Sequence, residues 1–261
     1  MPELAEVEYF RNKIDPKALG RKIVSIKIKD DYILKSPKKK FKNSLKGKEF
    51  KSTKRWGKYL FLEFDNKDLL LHFAMSGNIK FYNTNNNEPE YSKIILNFDD
   101  NHAISIISIR KFGRVEIVND YKEFIKNNGI GPDALDVSLE EFKNIMEYKK
   151  RSFAKSALLD QKAISGLGNL YSDETLFQSQ IYPKTKISEL DENQIETMYC
   201  NMKAILNKAI KCIKNHTDYP DNFIIPHRNK EGTCPVCDTK LKQLKVSSRT
   251  AYYCPNCQKN P

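Results

Sequence analysis

The run Tyr59-Leu60-Phe61-Leu62-Glu63-Phe64, followed by Leu69-Leu70-Leu71-His72-Phe73 and Asn78-Ile79-Lys80-Phe81-Tyr82, decides the fold class. Three short apolar segments, rich in aromatic and branched residues, read as strands separated by turns. Asn83-Thr84-Asn85-Asn86-Asn87 reads as an exposed turn. Working outward, further strands are predicted at 93–98, 103–109 and 113–118. Upstream, Lys22-Ile23-Val24-Ser25-Ile26-Lys27-Ile28-Lys29 alternates polar and apolar, as a half-buried strand does. The segment 31–48 is lysine-rich, densest at Lys38-Lys39-Lys40, and reads as solvated. Before it, Val7, Phe10 and Ile14 recur at helical spacing. The first part of the chain is therefore one helix and many short strands, a β-sandwich or barrel-like domain.

The periodicity changes after Val118. Segments 121–128, 139–148, 153–159, 171–178 and 191–214 carry helical spacing. In the last, Ile195, Met198, Tyr199, Met202, Ile205, Leu206, Ala209 and Ile210 form one apolar face. A polar, proline-containing linker at 218–232 leads to a tail, 233–261, too short to bury a useful core. The predicted class is α+β and multidomain: a β-sandwich domain over 1–120, a helical domain over 121–225 and a terminal hairpin over 226–261.

The chain has 261 residues, 39% of them hydrophobic, and a net charge of +12. A basic surface of this size favours nucleic acid or an anionic membrane. A lysine-rich composition bias accounts for part of the charge. No apolar run is long enough to span a bilayer, and the N-terminus has no apolar signal-peptide core. The expected setting is the cytoplasm, where the six cysteines are reduced thiols or metal ligands rather than disulfides.

The tail carries Cys234-Pro235-Val236-Cys237 and Cys254-Pro255-Asn256-Cys257. Two such pairs a hairpin length apart are a tetrahedral zinc signature. Four thiolates leave no position open for water, so one structural Zn2+ is expected, replacing the missing core. Cys200 and Cys212 read as core thiols. Arg249, on the returning strand of the hairpin, offers a planar donor fork suited to phosphate, or is an ordinary surface arginine.

The N-terminus reads Met1-Pro2-Glu3-Leu4-Ala5-Glu6-Val7-Glu8. Once Met1 is removed, Pro2 carries a free secondary amine. An α-amine titrates near ~7.7–8, against ~10.4 for lysine, and is far more often uncharged at neutral pH. Proline suits a helix start, where its missing N–H would be unpaired anyway. Glu3 and Glu6 lie three apart, on one face beside the amine. A nucleophile and two acid/base groups thus meet at one point; the plainer reading is a helix with acidic residues complementing its dipole.

Taken together, the Pro2-Glu3-Leu4 start, the Arg55-Trp56-Gly57-Lys58-Tyr59-Leu60 strand and the four-cysteine hairpin resemble the formamidopyrimidine-DNA glycosylase / endonuclease VIII family. Other matches are His72-Phe73-Ala74-Met75-Ser76-Gly77, Arg110-Lys111-Phe112-Gly113, Ile130-Gly131-Pro132-Asp133-Ala134-Leu135 and Leu158-Leu159-Asp160-Gln161-Lys162. The most specific is Gly166-Leu167-Gly168-Asn169-Leu170-Tyr171-Ser172-Asp173-Glu174. The resemblance implies an N-terminal β-sandwich, a helix-two-turns-helix domain and a zinc hairpin, with double-stranded DNA bound between the lobes. It implies a monomeric enzyme that excises oxidised bases and then cleaves the abasic strand by β- or β/δ-elimination. By position, Pro2 is the nucleophile at C1′, Glu3 the general acid/base, and Glu6 a support for the amine and the flipped nucleotide. Lys58 contacts phosphate beside the lesion. Met75, Arg110 and Phe112 fill the gap left by the flipped nucleotide. Asn169 and Arg249 hold the flanking phosphates, with Tyr171 and Lys155 as further DNA contacts. A non-catalytic damaged-DNA-binding member of the same fold is the alternative.

Four positions depart from the family pattern. Ala5 stands where proline is common, Ala74 where glycine or arginine is common, and Ser108-Ile109 where Asp-Pro is frequent. The segment 215–228 is short and lacks the glycine-rich stretch that covers the flipped base in the formamidopyrimidine branch. A more open base pocket is expected, with oxidised pyrimidines, formamidopyrimidines or hydantoins as plausible as 8-oxoguanine.

Overall fold

In a computed structural model, described over residues 1–259, the chain divides into two compact units, Met1–Gly129 and Ile130–Pro261. The first unit opens with α1 (Leu4–Ala18), followed by β1 (Ile23–Ile28), α2 (Lys38–Leu45), β2 (Phe50–Trp56), β3 (Tyr59–Phe64) and β4 (Lys67–His72). It continues with β5 (Gly77–Asn83), β6 (Ser92–Phe98), β7 (His102–Ser108), β8 (Arg114–Val118) and α3 (Tyr121–Asn127). Two four-stranded antiparallel sheets form, in the orders β1-β6-β7-β5 and β2-β3-β4-β8. Leu60, Leu62, Phe64, Leu69 and Leu71 of one sheet meet Ile94, Leu96, Ile104 and Ile106 of the other in a single core. This is a β-sandwich: each sheet buries one face against the other.

The unbroken apolar reading of 59–64 has a physical cause. Leu60 and Leu62 face the sandwich core, while Tyr59 and Phe61 on the outer face are covered by α3. Phe124 meets Tyr59 at 5.7 Å and Phe61 at 5.9 Å between ring centroids. The α3 helix therefore packs within the first unit, whereas the expected boundary at 121 placed it with the later helices. The α2 helix escaped the sequence reading, and β2 was legible only at Arg55-Trp56, where the expected Arg55–Leu60 strand proves to be the end of β2, a turn at Gly57-Lys58 and the start of β3. The α2 helix lies within the lysine-rich 31–48 segment, anchored by Phe41 and Leu45 alone. The β2 strand buries Phe50 and Thr53 between exposed lysines, and an irregularity between Phe50 and Ser52 breaks its alternation.

The second unit comprises α4 (Leu139–Tyr148), α5 (Ala154–Leu159), α6 (Asn169–Gln178), α7 (Glu192–Asn215) and the hairpin β9 (Lys242–Val246) and β10 (Arg249–Tyr253). The 24-residue α7 is capped by Asp191, whose carboxylate accepts the Gln194 N–H at 2.8 Å. Met198, Met202, Ile205, Leu206, Ala209 and Cys212 make up its buried face. Cys212 is the core thiol expected, but Cys200 is exposed, because it falls on the opposite side of α7. Ser247 and Ser248, at φ 46° and 60°, form the two-residue left-handed turn that suits a tight hairpin. No helix is long and apolar enough to cross a membrane among the described residues.

Candidate functional site

In the first unit, Glu3 occupies the N-cap of α1 and is 3% exposed, beside a half-buried Pro2. The Glu3 backbone N–H donates to Glu6 Oε2 at 2.8 Å. Glu6 is thereby committed to the start of the helix, which fixes where the Glu3 side chain begins. Lys58 hangs from the turn joining β2 and β3 and is nearly buried. That turn has Gly57 at φ 56°, a conformation that glycine adopts without steric cost.

His72, at the end of β4, is paired in register with both Tyr59 and Arg114. Burial, reinforced by the Lys58 and Arg114 charges, pushes its pKa down to about 4, so it is neutral at pH 7. A group that binds its proton less readily when folded stabilises the fold above its unfolded pKa of about 6.5. That contribution, at most about 3 kcal/mol, is lost as pH falls toward 4. Urea midpoints of the wild-type protein should therefore drop between pH 7 and pH 5 more steeply than those of His72→Gln. Parallel pH profiles would rule out His72 as a source of the acid sensitivity.

The β4–β5 and β7–β8 loops lie side by side because Gly77 pairs with Ser108. The Arg110 N–H donates to Ser76 Oγ at 3.1 Å, and Ser108 Oγ donates to the Phe112 carbonyl at 2.9 Å. At Gly77 an added Cβ would lie 2.4 Å from the Phe73 carbonyl oxygen, so the first loop can turn this tightly only with glycine. The pair of loops presents Met75, 44% exposed, and Phe112, 51% exposed, together with the exposed Arg110. Ile109 on the same loop is also exposed. Apolar side chains so exposed on two mutually braced loops suit insertion into a base stack.

In the second unit, the buried Asp173 is a hub. Its Oδ1 accepts Lys155 Nζ at 2.5 Å, and its Oδ2 accepts Arg228 Nη2 at 2.7 Å and the Tyr252 N–H of β10 at 3.1 Å. Lys155 also donates to the Thr250 carbonyl at 3.3 Å. Asn169, the first residue of α6, donates its side-chain amide to the same carbonyl at 3.0 Å, and its own carbonyl accepts Arg228 Nη2 at 3.2 Å. An amide nitrogen has two N–H donors, of which this contact uses one. Arg249, next to Thr250, is exposed. The hub thus places Asn169 and Arg249 on neighbouring elements.

Lys155 and Tyr171 are corrected by burial. Lys155 is 0% exposed and holds the hairpin to α6 through Asp173, and Tyr171 is fully buried with its hydroxyl 3.2 Å from that of Tyr219. Neither presents a side-chain surface to solvent. Asp173 and Arg228 were given no role in the sequence reading, and an acid within the Gly166–Glu174 motif gave no local sign that it pairs with a residue 55 positions away. Replacing Asp173 with Asn should cost about 3–5 kcal/mol, because Lys155 is left buried without its counter-charge. Thermal unfolding of the zinc-loaded protein checks this, and an unchanged midpoint would mean that the pair does not hold the hairpin.

Beside the hub, Glu174 accepts the Ile225 N–H at 2.9 Å and the Ile224 N–H at 3.3 Å. Burial raises its carboxyl to about 7. Phe223 and Ile224 are buried, so the short segment before the hairpin is held down onto α6.

Cys234, Cys237, Cys254 and Cys257 bring their four Sγ atoms within 4.8 Å of one another. Individual separations are 3.5 Å (Cys237 to Cys254 and Cys257) and 3.8 Å (Cys234 to Cys257). Four thiolates around a Zn2+ at about 2.3 Å stand about 3.8 Å apart, so the donor set fits a tetrahedral zinc ion. The metal completes a small core of Phe177, Ile224, Leu241, Cys234 and Cys254.

Comparisons with known proteins agree with this arrangement. Residues 1–115 match the formamidopyrimidine-DNA glycosylase N-terminal domain, residues 129–220 its H2TH domain, and residues 232–260 the zinc finger found in FPG and IleRS. A formamidopyrimidine-DNA glycosylase of Lactobacillus delbrueckii subsp. bulgaricus is 30% identical over 99% of this chain and 100% of its own length. One from Arabidopsis thaliana is 32% identical over 99% of this chain and 71% of its own length. Among solved structures, a complex of Lactococcus lactis Fpg with an abasic site containing DNA is similar at a TM-score of 0.90 and 27% identity, covering 99% of this chain and all of that one. With the sandwich, the Asp173 hub and the four-thiolate hairpin, these matches establish that the chain belongs to the formamidopyrimidine-DNA glycosylase family.

Proposed function

We propose that this protein is a bifunctional DNA glycosylase and abasic-site lyase that flips oxidised bases out of double-stranded DNA and excises them through the Pro2 amine. The observation that carries this reading is the placement of a nearly buried carboxylate, Glu3, directly after the residue whose amine is to attack. Its site of action is the cytoplasm, with the nucleoid as target if the source is bacterial, a reading supported by four cysteines placed as metal ligands rather than in disulfides.

With Met1 removed, the neutral Pro2 nitrogen bonds to C1′. The glycosidic bond breaks with its electron pair going to the departing base, which takes up a proton. The amine loses its proton, Glu3 donates one to the ring oxygen as the C1′–O bond opens, and a positively charged iminium remains. That charge acidifies the C2′ hydrogens. Glu3, now a carboxylate, removes one; the electron pair forms the C2′–C3′ double bond and the 3′ phosphate leaves. A second elimination expels the sugar remnant. Lys58 meets a phosphate beside the lesion, Asn169 and Arg249 hold the flanking phosphates, and Met75, Arg110 and Phe112 fill the vacated stack. Zinc maintains the fold of the hairpin and takes no part in bond making.

The segment at 223–228 is pinned by Glu174 and Arg228 rather than rich in glycine, which supports weak discrimination among oxidised bases. Formamidopyrimidines, 8-oxoguanine and oxidised pyrimidines are all expected substrates. Duplexes bearing each lesion should be cleaved at rates within about tenfold of one another, a spread of about 1.4 kcal/mol. Affinity should fall steeply with salt, as phosphate neutralisation requires. Tight binding with no cleavage of any lesion would instead identify a non-catalytic damage-binding protein.

A further inference from the structure

Arg55 lies at the end of β2, one residue from the Gly57-Lys58 turn. Its side chain is 6% exposed, although arginine is among the residues least often buried. Its Nε donates to Glu8 Oε2 of α1 at 2.8 Å, and its Nη1 donates to the Gly57 carbonyl at 3.2 Å. Glu8 also accepts Arg11 Nη2 at 2.5 Å on its other oxygen. Burial pushes the Glu8 carboxyl up, but the two guanidiniums outweigh this and leave it below the usual carboxylate range. The pair is therefore fully ionised at neutral pH.

One planar guanidinium thus grips two segments. Glu8 lies one helical turn and a half beyond Glu3, and Gly57 immediately precedes Lys58. We propose that Arg55 is a positioning residue that sets the helix bearing Pro2 and Glu3 in register with the turn bearing Lys58. The proposal rests on the catalytic reading of Pro2, Glu3 and Lys58 given above. A fork is needed because a carboxylate and a carbonyl are held at once from one rigid plane, whereas a lysine ammonium satisfies one acceptor and leaves the other loose. Misplacement of a catalytic group by about 1 Å costs on the order of a hundredfold in rate.

The test is single-turnover borohydride trapping on an abasic-site duplex at saturating protein, with the dissociation constant measured separately. Arg55→Lys keeps an ion pair to Glu8 and guards against a merely unfolded variant; Arg55→Ala removes both contacts. Each is also made in a Lys58→Ala background. Arg55→Lys should slow trapping by about tenfold or more while changing the dissociation constant by less than about threefold, and Arg55→Ala should slow it further. Neither should slow trapping again when Lys58 is already alanine. An unchanged rate in both variants overturns the proposal. Equal slowing with and without Lys58 also overturns it, because Arg55 then supports the fold without acting through the turn. A Lys58→Ala protein as fast as wild type removes the role of Lys58 and the proposal with it, leaving the Pro2 reading intact. If the wild-type protein gives no adduct, the catalytic reading itself fails.

Discussion

Replacing Glu3 with Gln is expected to lower base excision and strand cleavage by about 10²–10⁴-fold, the usual contribution of a positioned acid/base group. Binding to the same duplex should change little. The separation is sharp because of how Glu3 is held. Its backbone N–H donates to Glu6 Oε2 at 2.8 Å within a reciprocal capping box, and a glutamine amide oxygen can take the carboxylate's place in that box, so the start of α1 stays intact. Glu3 as a residue is 3% exposed, and an amide in its place can neither deliver a proton to the ring oxygen nor take one from C2′. Rates measured with excess protein over lesion-bearing duplex check this directly. Strand cleavage at the wild-type rate would mean that another group carries the proton.

Removing zinc is expected to have an effect of similar size, on binding rather than chemistry. The apolar cluster under the hairpin is small: Phe177, Ile224 and Leu241 with the cysteines, and Tyr252 packed against them. Structural zinc contributes about 10–16 kcal/mol in small finger domains, so chelation should unfold β9 and β10. Arg249 then loses its strand, and Asn169 loses the Thr250 carbonyl that orients its amide. Two charge-assisted phosphate contacts are worth roughly 1.5–3 kcal/mol each, which predicts a loss of affinity of about a hundredfold or more. The sandwich core draws every one of its residues from the first unit, so its β-sheet spectrum should persist. Cys237→Ser should reproduce the effect without a chelator. Undiminished duplex affinity after verified loss of the metal would contradict the role given to the hairpin.

The sandwich was readable in the sequence where strands are apolar on at least one side. The 59–64, 69–73 and 78–82 runs all form strands, and the long helical face ending near Lys214 forms α7. What escaped was held together by few or distant partners. Two buried residues suffice to dock α2, too few for a periodic signal among lysines. Tyr171 falls in the Gly166–Glu174 motif and Lys155 in the helical 153–159 segment; the resemblance gives both to DNA, but a lysine reads the same whether it meets a phosphate or a buried aspartate. Only the fold shows that Asp173 reaches Lys155, Arg228 and the Tyr252 N–H together. Arg55 was visible within a basic motif, yet its contact with Glu8 spans 47 positions and has no local trace. The cysteine tail was the clearest signal, because zinc dictates both ligand type and spacing.

The central claim is that a proline amine, freed by removal of Met1, becomes covalently joined to the damaged strand. The most direct measurement is borohydride reduction of the protein with an abasic-site duplex, followed by protease digestion and mass spectrometry of the cross-linked peptide. The expected result is a single adduct on the N-terminal peptide, located at Pro2, with Met1 absent from every trapped molecule. An adduct on Lys58 or another lysine, or trapping of molecules that retain Met1, would contradict it.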